Sequence, residues 1–285
     1  MSNIPTALYL QGGPGLNSAV ERAWFGDSHP LLWWDQPRFP ADGKNAYQAT
    51  LDAAAEKLAE LNGVQGKPIH VIGWSFGARL ALDLAHHTPE MISALTLLAP
   101  SFCLGTAFDR MSTYLASKGL CDSAHLYPPR SPEDRSENHD DFMQRVMTIL
   151  SIPDLFSHYW APKSTSQLDR HSAEAARTEW FDLPTFTAVS REIIQLEAIP
   201  LPVENVSSVR ILAGRHDPYF VPEADFILWK KLFPEATIRT VDSAHMLPFE
   251  ISATEWLTKN AISDWPRRHG ALIQMDESAG LTRPA

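Results

Sequence analysis

The chain has 285 residues, of which 44% are hydrophobic and nine are tryptophan, which is enough apolar material for a substantial core. Its formal net charge is −10 and it carries no long basic cluster, which argues against nucleic acid as a partner. Its two cysteines, Cys103 and Cys121, are too few and too isolated for a disulfide framework or a metal site, so they favour a reduced, cytoplasmic setting.

Signals for a membrane or for export are also missing from the sequence. No window approaches the eighteen or more apolar residues of a membrane span. Residues 1–6 have neither the basic region nor the apolar stretch of a signal peptide. We therefore expect a soluble, cytoplasmic protein without a membrane partner. At this length the chain fits one large α/β domain or a core with an inserted subdomain.

The first predicted strand, residues 6–10, runs directly into a glycine-rich loop. Residues 11–15 contain three glycines and one proline, so the loop backbone can come close to a ligand. An ordinary glycine turn is the alternative interpretation. A second strand is predicted at residues 31–35, and a helix follows from Ala46 to Leu61 with its end at Asn62-Gly63.

The next strand and helix enclose a Gly-x-Ser-x-Gly motif. Residues 69–72 are the apolar, β-branched run of a buried parallel strand, and an alanine- and leucine-rich stretch predicts a helix as far as about His87. Between them lies Gly73-Trp74-Ser75-Phe76-Gly77. A strand, a tight turn and a helix form the context of a nucleophile elbow, in which a strained turn lifts the serine hydroxyl clear of the sheet. We therefore predict Ser75 as a nucleophile.

After another buried strand at residues 92–99 the pattern changes. From about Ser101 to Ser207 no buried strand is predicted, and amphipathic helical stretches appear around residues 108–117, 142–150 and 172–181. A run of roughly a hundred helical residues within a parallel α/β core predicts a cap over the active-site end of the sheet. The predicted organisation is a core part at residues 1–100, a helical cap at 101–207, a second core part at 208–265 and a tail at 266–285.

The sheet resumes at residues 209–214 and ends with a strand at 237–241, and each of these strands leads to a residue that fits a catalytic role. Because a serine hydroxyl is a poor nucleophile, it needs a histidine to take its proton and a carboxylate to hold that histidine. His245 follows the last strand, and Asp217 follows the strand before it. Asp242 is the alternative acid, and a simple Asp-Pro turn is the alternative explanation of Asp217.

These motifs resemble those of the α/β-hydrolases, in particular the capped group of esterases, thioesterases and proline iminopeptidases. The matching segments span nearly the whole predicted core, in the Ser-Asp-His order of that fold. They are residues 11–15, Asp35-Gln36, residues 73–77, residues 214–218 and residues 244–248. The resemblance implies a mostly parallel sheet flanked by helices, with an inserted helical cap. It also implies a triad of Ser75, His245 and Asp217, an oxyanion hole formed by the N–H groups of Gly13 and Phe76, and no metal or cofactor.

Three features depart from the pattern of that family. The glycine loop begins at residue 11, so we expect the two N-terminal strands of the family to be missing. Gln11 stands where the family usually has a histidine. The elbow has Trp74 before the serine, as in small carboxylesterases, whereas proline iminopeptidases typically read Gly-Gly-Ser-Trp-Gly.

The predicted substrate is a small carboxylic ester or thioester. Candidate residues for an apolar substrate pocket are Trp74, Trp160, Trp180 and Phe181. An aminopeptidase is the nearest alternative, because Glu174, Glu179 and the acidic stretch 133–141 offer carboxylates for a protonated amine. Acidic loops are more often simply solvated. A lyase or a small-molecule receptor on the same fold is the third possibility.

Overall fold

The computed structural model describes residues 6–26, 29–121, 139–194, 202–203, 206 and 208–257. In this part of the chain six strands form one sheet in the order β2-β1-β3-β4-β5-β6, and every pair of neighbours is parallel. The strands are β1 (Ala7–Leu10), β2 (Leu31–Trp34), β3 (Ile69–Trp74), β4 (Ile92–Leu98), β5 (Val209–Gly214) and β6 (Thr237–Val241). The predicted fold class, a mostly parallel α/β sheet flanked by helices, is confirmed.

Helices cover the sheet and fill the long interval between β4 and β5. Within the described residues they are α1 (Ala19–Phe25), α2 (Ala46–Gln65), α3 (Phe76–His87), α4 (Leu104–Ser117), α5 (His139–Leu150), α6 (Thr165–Ala175), α7 (Leu183–Ile193), α8 (Pro222–Leu232), α9 (Leu247–Glu250) and α10 (Ala253–Leu257). Two 3-10 turns, Pro89–Met91 and Leu155–Tyr159, complete the set. No helix in these ranges is both long enough and apolar enough to cross a membrane.

The sheet separates two apolar cores. Because alternate residues of a strand point to opposite faces, Leu8 and Leu10 of β1 lie in one core and Ala7 and Tyr9 in the other. Helices α2, α3 and α8 contribute to the first core, and α1 and α10 to the second. Burial on both faces explains why β3 and β5 consist entirely of buried residues.

The end of α2 differs from the sequence prediction. The helix continues past Asn62-Gly63 to Gln65, and Gly66 ends it in the left-handed conformation with φ +64°. An interior glycine weakens a helix without stopping it, whereas a left-handed C-cap strongly favours glycine. The predicted end at Asn62-Gly63 was therefore wrong, and Gly66, the next glycine along the chain, is the one that stops the helix.

The helix predicted around residues 172–181 also lies elsewhere. Its structural counterpart, α6, ends at Ala175, and the chain then continues as a link that pairs with the glycine-rich loop. In that link the carbonyl of Trp180 accepts a hydrogen bond from the N–H of Asn17 (3.0 Å), and Phe181 forms an isolated antiparallel bridge with Leu16. Backbone pairing with a segment far away in the sequence thus overrides the local helical pattern.

Strands β4 and β5 are adjacent in the sheet although more than a hundred residues separate them in sequence. We call residues 101–121 and 139–194 the inserted segment. Its helices form an apolar core of their own, which includes Phe108 on α4, Phe142 on α5 and Phe186 on α7. Residues 122–138, with most of the predicted acidic loop, and residues 258–285, with the end of the predicted closing helix and the tail, lie outside the described residues.

The inserted segment also packs against the rest of the chain through a buried histidine. His171 on α6 is 1% exposed, and neither of its ring nitrogens has a hydrogen-bond partner among the described residues. Four aromatic rings surround it at centroid distances of 4.8–5.5 Å, namely Phe156, Trp160, Trp180 and Phe249. Burial lowers the pKa of His171 to about 4, so the ring is neutral near pH 7.

The turn after β3 depends on two close backbone approaches. A Cβ atom added to Gly73 would lie 2.4 Å from the carbonyl oxygen of Gly77. One added to Gly77 would lie 2.2 Å from the carbonyl oxygen of Leu10 at the end of β1. Real Cβ atoms do not come this close to backbone atoms, so α3 can pack against β1 and β3 only with glycine at both positions.

We expect Gly77→Ala to lower the free energy of unfolding by at least about 2 kcal/mol, because the added methyl group must push α3 away from β1. The matched control is Gly63→Ala in α2, where an added Cβ meets nothing within 4 Å. That change should raise the free energy of unfolding by up to about 1 kcal/mol through helix propensity. Chemical denaturation measures both values, and equal effects of the two changes would contradict the close-packing argument.

His171→Phe is expected to remove an acid-dependent loss of stability. Because the pKa of His171 is about 4 in the folded protein and 6.5 ordinarily, the unfolded chain takes up this proton at higher pH than the folded protein does. The free energy of unfolding should therefore fall as the pH drops between these two values, by up to about 3 kcal/mol for this residue.

Urea unfolding of both proteins at about pH 7 and about pH 4.5 measures this dependence. Phenylalanine fills the aromatic site without a titrating group, so the variant should lose less stability on acidification than the original protein. Gly63→Ala, which removes no titrating group, is the control and should keep the original pH dependence. An unchanged pH dependence in His171→Phe would contradict the prediction.

Candidate active site

Three loops at the same edge of the sheet carry the residues that the sequence singles out. Ser75 follows β3, Asp217 follows β5 and His245 follows β6. Because all six strands are parallel, their carboxyl ends meet at one edge, which is where α/β proteins form their sites. All three side chains are buried, with exposed fractions of 8%, 7% and 5%.

The three side chains form a continuous hydrogen-bonded series. Nε2 of His245 lies 2.8 Å from Oγ of Ser75, and Nδ1 of His245 lies 2.9 Å from Oδ2 of Asp217. The second carboxylate oxygen of Asp217 accepts the N–H of Tyr219 at 2.8 Å. Because an ionised carboxylate only accepts, Nδ1 carries the imidazole proton and Nε2 is left as the acceptor for the serine hydroxyl.

Asp242, the alternative acid, is engaged elsewhere. Its carboxylate forms ion pairs with Lys163 and with His216, the latter at 3.0 Å, on the surface of the protein. Hydrogen bonds from these two side chains, Lys163 first, lower the pKa of Asp242 below its ordinary value. The structure therefore brings Asp217, and not Asp242, together with His245.

Ser75 has the left-handed backbone of a nucleophile elbow, with φ +52° and ψ −114°. Its N–H donates to the carbonyl of Leu98 at the end of β4 (2.9 Å). Its carbonyl accepts the N–H groups of Ala78 (3.0 Å) and Ser101 (3.2 Å). A non-glycine residue in this region is strained, and these three bonds hold it there.

The glycine-rich loop after β1 is held by two side-chain amides. Gln11 and Gln36 each donate from Nε2 to the carbonyl of Leu16, at 3.1 Å and 2.8 Å. Gln11 thus keeps the loop closed at the position where the family has a histidine. The function of Gln36 could not be read from the sequence, because it depends on β2 lying beside β1.

Two backbone N–H groups beside Ser75 lack acceptors. Gly13 has φ +45°, and its N–H donates to no protein group among the described residues. Phe76 is the first residue of α3, where an N–H has no partner within the helix, and it too has none elsewhere in the described chain. Both residues line the cavity that contains Ser75 and His245, so both predicted oxyanion-hole residues are placed there together.

The cavity has a volume of about 540 Å³ and a mostly apolar wall. Core residues and the inserted segment both contribute to it, and Trp74, Trp180 and Phe181 line it as the sequence predicts. Trp160, the fourth predicted pocket residue, is not brought together with them. It is buried outside the cavity, where its ring packs against His171 and Phe249.

Two tyrosines that the sequence analysis did not single out lie directly beside the imidazole. The ring of Tyr219 is 4.5 Å from that of His245, the ring of Tyr159 is 5.8 Å from it, and the two hydroxyls are 2.7 Å apart. Burial raises the pKa of Tyr159 to about 12 and that of Tyr219 well above 10, so both remain protonated. Tyr219 lies only two residues after Asp217, so the sequence around the predicted acid could have pointed to this tyrosine.

The loop that carries His245 is fixed on both sides. Glu250 accepts the N–H of Ala244 at 2.6 Å, and its other oxygen accepts the N–H of Ala161 in the inserted segment at 2.7 Å. The N–H of Met246 donates to the carbonyl of Tyr159 at 3.0 Å. The carbonyl of His245 itself accepts the indole N–H of Trp74 at 2.9 Å. Glu250 is a further residue that the sequence pattern did not indicate.

Glu174 and Glu179, two of the carboxylates considered for an amine substrate, do not line the cavity. Glu174 bonds to Arg177 (3.2 Å), and Glu179 forms an exposed ion pair with Arg38 (3.2 Å). Of the acidic stretch, residues 133–138 are not among the described residues. The aspartate or glutamate that does line the cavity in the described part of the chain is Asp154, which is exposed.

Comparisons with known proteins agree with this fold. A family model described as the alpha/beta hydrolase fold matches residues 23–250. Lipase LipV of Mycobacterium tuberculosis (strain ATCC 25618 / H37Rv) is 28% identical over 235 residues, which cover 80% of this chain and 82% of the lipase.

Solved structures show the same fold. A proline iminopeptidase-related protein from Thermus thermophilus matches with a TM-score of 0.62 and 22% identity, over 90% of this chain and 87% of that one. A thermophilic esterase from Thermogutta terrifontis matches with a TM-score of 0.55 and 15% identity, over 92% of this chain and 89% of that one. At these identities the likeness concerns the fold.

Proposed function

We propose that this chain, which belongs to the α/β-hydrolase family, hydrolyses a small carboxylic ester or thioester through an acyl-enzyme on Ser75. The observation that carries the proposal is the hydrogen-bonded series from Ser75 through His245 to Asp217 at the wall of a mostly apolar cavity. A fold alone hosts many activities, so the chemistry has to be argued from these side chains.

In the proposed reaction, Oγ of Ser75 attacks the carbonyl carbon of the substrate while Nε2 of His245 takes the hydroxyl proton. Asp217 holds the imidazole and stabilises its positive charge. The imidazolium then gives the proton to the departing alcohol or thiol, and the acyl group stays on Ser75. A water molecule, activated by the same imidazole, releases the carboxylic acid and restores the serine.

The negative charge on the carbonyl oxygen needs donors that are already in place. We assign this task to the N–H groups of Gly13 and Phe76, which lack protein acceptors among the described residues. One such donor typically contributes about 3–4 kcal/mol to transition-state stabilisation. These steps need no metal ion or cofactor.

The cavity wall supports an ester rather than a peptide with a free amine. A protonated amine in a dry site needs a carboxylate partner, and Glu174 and Glu179 are paired outside the cavity. Trp180 and Phe181 instead present apolar surface to it. We propose that residues 101–207 act as the cap that shapes this pocket, with a small molecule as the partner.

The cysteines bear on the location. Neither Cys103 nor Cys121 forms a disulfide. A chain with only two cysteines fits the cytoplasmic location that we propose, since proteins of reducing compartments rarely rely on disulfides.

Ser75→Ala is expected to abolish covalent labelling by a fluorophosphonate and to abolish ester turnover, because no other hydroxyl is bonded to His245 among the described residues. Ser101→Ala removes another serine hydroxyl that lines the cavity and should keep the labelling. Mass spectrometry of the labelled peptide measures the outcome. Labelling that persists in Ser75→Ala would overturn the assignment of the nucleophile.

The substrate class is decided by kcat/KM for short p-nitrophenyl acyl esters and for proline and alanine naphthylamides in one buffer. We expect the esters to be hydrolysed far faster. A preference for the naphthylamides would support the aminopeptidase alternative instead. A protein that neither labels nor turns over either class would point to the lyase or receptor alternative.

Asp217→Asn should lower kcat on a p-nitrophenyl ester by roughly 10⁴-fold with little change in KM, because the amide no longer fixes the tautomer or stabilises the charged imidazole. Asp242→Asn is the matched control, since its carboxylate pairs with Lys163 and His216 at the surface. Steady-state kinetics compare the two variants. A large loss in Asp242→Asn with near-original activity in Asp217→Asn would reverse the assignment of the acid.

A further inference from the structure

The mostly apolar cavity contains a buried cation that the ester chemistry does not use. Arg79 lies on α3, four positions after Ser75, and lines the cavity although it is only 7% exposed. Among the described residues that line the cavity it is the one arginine or lysine. Arginine stays charged in proteins and carries five N–H donors, so its place in an apolar wall requires an explanation.

The guanidinium is held on two sides by protein acceptors. Nε donates to Oδ2 of Asp83 and Nη1 donates to the carbonyl of Phe102, both at 2.9 Å. The hydroxyl of Tyr47 donates to the same oxygen of Asp83. Burial raises the pKa of Tyr47 well above its ordinary value, so the phenol remains a donor to Asp83. These bonds fix the orientation of the guanidinium before any ligand arrives.

Besides these two bonds the hydroxyl of Tyr47 acts on the guanidinium, and no hydrogen bond from its third nitrogen, Nη2, meets ordinary geometry among the described residues. Nη2 is not among the fully buried polar atoms that lack a partner, so it is reachable from the cavity and offers a charged donor to an oxygen supplied there. Neither Asp83 nor Tyr47 lines the cavity, whereas Arg79 does. Arg79 is therefore the member of this group that a ligand can reach.

The binding position is close to the nucleophile. Phe102, whose carbonyl accepts from Arg79, follows Ser101, whose N–H donates to the carbonyl of Ser75. Two consecutive residues, Ser101 and Phe102, therefore contact the backbone of Ser75 and Nη1 of Arg79, and two residues of chain span roughly 7 Å. A group bound at Nη2 would belong to the same small molecule whose ester carbonyl lies at Ser75.

We propose that the substrate carries a carboxylate and that Arg79 binds it, an inference that rests on the proposed ester or thioester hydrolysis at Ser75. A carboxylate forms a charge-assisted hydrogen bond with a guanidinium, roughly twice as strong as the bond that a neutral oxygen forms. The rest of the molecule is an apolar chain of a few carbons, because the wall between the two positions is mostly apolar. Asp154, which also lines the cavity, is exposed and its charge is screened by water.

The test compares p-nitrophenyl esters of matched length that end in a carboxylate (hydrogen adipate), a neutral amide (adipamate) or a methyl group (hexanoate). A second pair, 4-acetoxybenzoate and 4-methylphenyl acetate, places the carboxylate on the alcohol side. We expect a preference for the carboxylate in one of the two sets. Arg79→Met should lower the ratio of kcat/KM for the carboxylate ester to that for its methyl counterpart by about 10- to 100-fold.

Arg79→Lys keeps the charge and should restore part of that ratio. Arg177→Met is the control, because Arg177 is exposed, pairs with Glu174 and does not line the cavity, so the ratio should stay unchanged. If Arg79→Met fails to fold because Asp83 loses its partner, the double variant with Asp83→Asn removes the unpaired charge. A ratio that Arg79→Met or the double variant leaves unchanged overturns the proposal, as does the absence of any carboxylate preference in the original protein.

A binding measurement separates this proposal from the proposed function. In Ser75→Ala, calorimetry compares monomethyl adipate with methyl hexanoate, so binding is observed without turnover. If the protein hydrolyses the hexanoate ester and shows no preference for a carboxylate, the proposed esterase activity stands and the role of Arg79 is overturned. If carboxylate binding depends on Arg79 but the original protein hydrolyses no ester, the role of Arg79 stands and the proposed esterase activity is overturned.

Discussion

The contact on which the site most depends is the one between Gly77 and the end of β1. With no side chain at residue 77, α3 lies against the carbonyls of Leu10 and Gln11, where a Cβ atom would be 2.2 Å and 2.5 Å away. That contact joins the turn that carries Ser75 and Phe76 to the strand that leads into the glycine-rich loop with Gly13. This packing contact, together with the hydrogen bonds that hold Ser75 and the glycine-rich loop, keeps the proposed nucleophile and both N–H groups of the proposed oxyanion hole in position, so the donors are in place before charge develops.

The surroundings of the imidazole are mostly aromatic and apolar apart from the carboxylate of Asp217. Tyr159 and Tyr219 lie against His245 and stay protonated, and the cavity wall is mostly apolar. In such surroundings electrostatic interactions are stronger than in water, so the hydrogen bond from His245 to Asp217 is stronger than it would be in solvent. The same apolar wall makes a charge costly unless it is paired, and the guanidinium of Arg79, paired with Asp83, is the charged donor that this wall presents to the cavity among the described residues.

Features that depend on local backbone geometry could be predicted from the sequence, whereas contacts that depend on packing between distant segments could not. The strands, the elbow and the positions of Ser75, Asp217 and His245 follow from apolar runs and glycine motifs whose spacing is local. Trp160 and Tyr159 are neighbours in sequence, yet only Tyr159 lines the cavity, and aromatic character alone does not say which side chain faces it. The contacts of Gln36 and Glu250 join distant segments, so no local pattern reveals them. The link at Trp180 and Phe181 was predicted as helix because its pairing partner lies more than 160 residues away.

The carboxylate of Glu250 joins the loop that carries His245 to the inserted segment. It binds Ala244, next to the imidazole, and Ala161 at the same time, and the bond from Met246 to Tyr159 runs alongside. A displacement of residues 159–161 would break two of the bonds that flank His245 and would loosen the imidazole from Ser75. Residues 159–161 are therefore the part of the inserted segment whose position is coupled to that of His245.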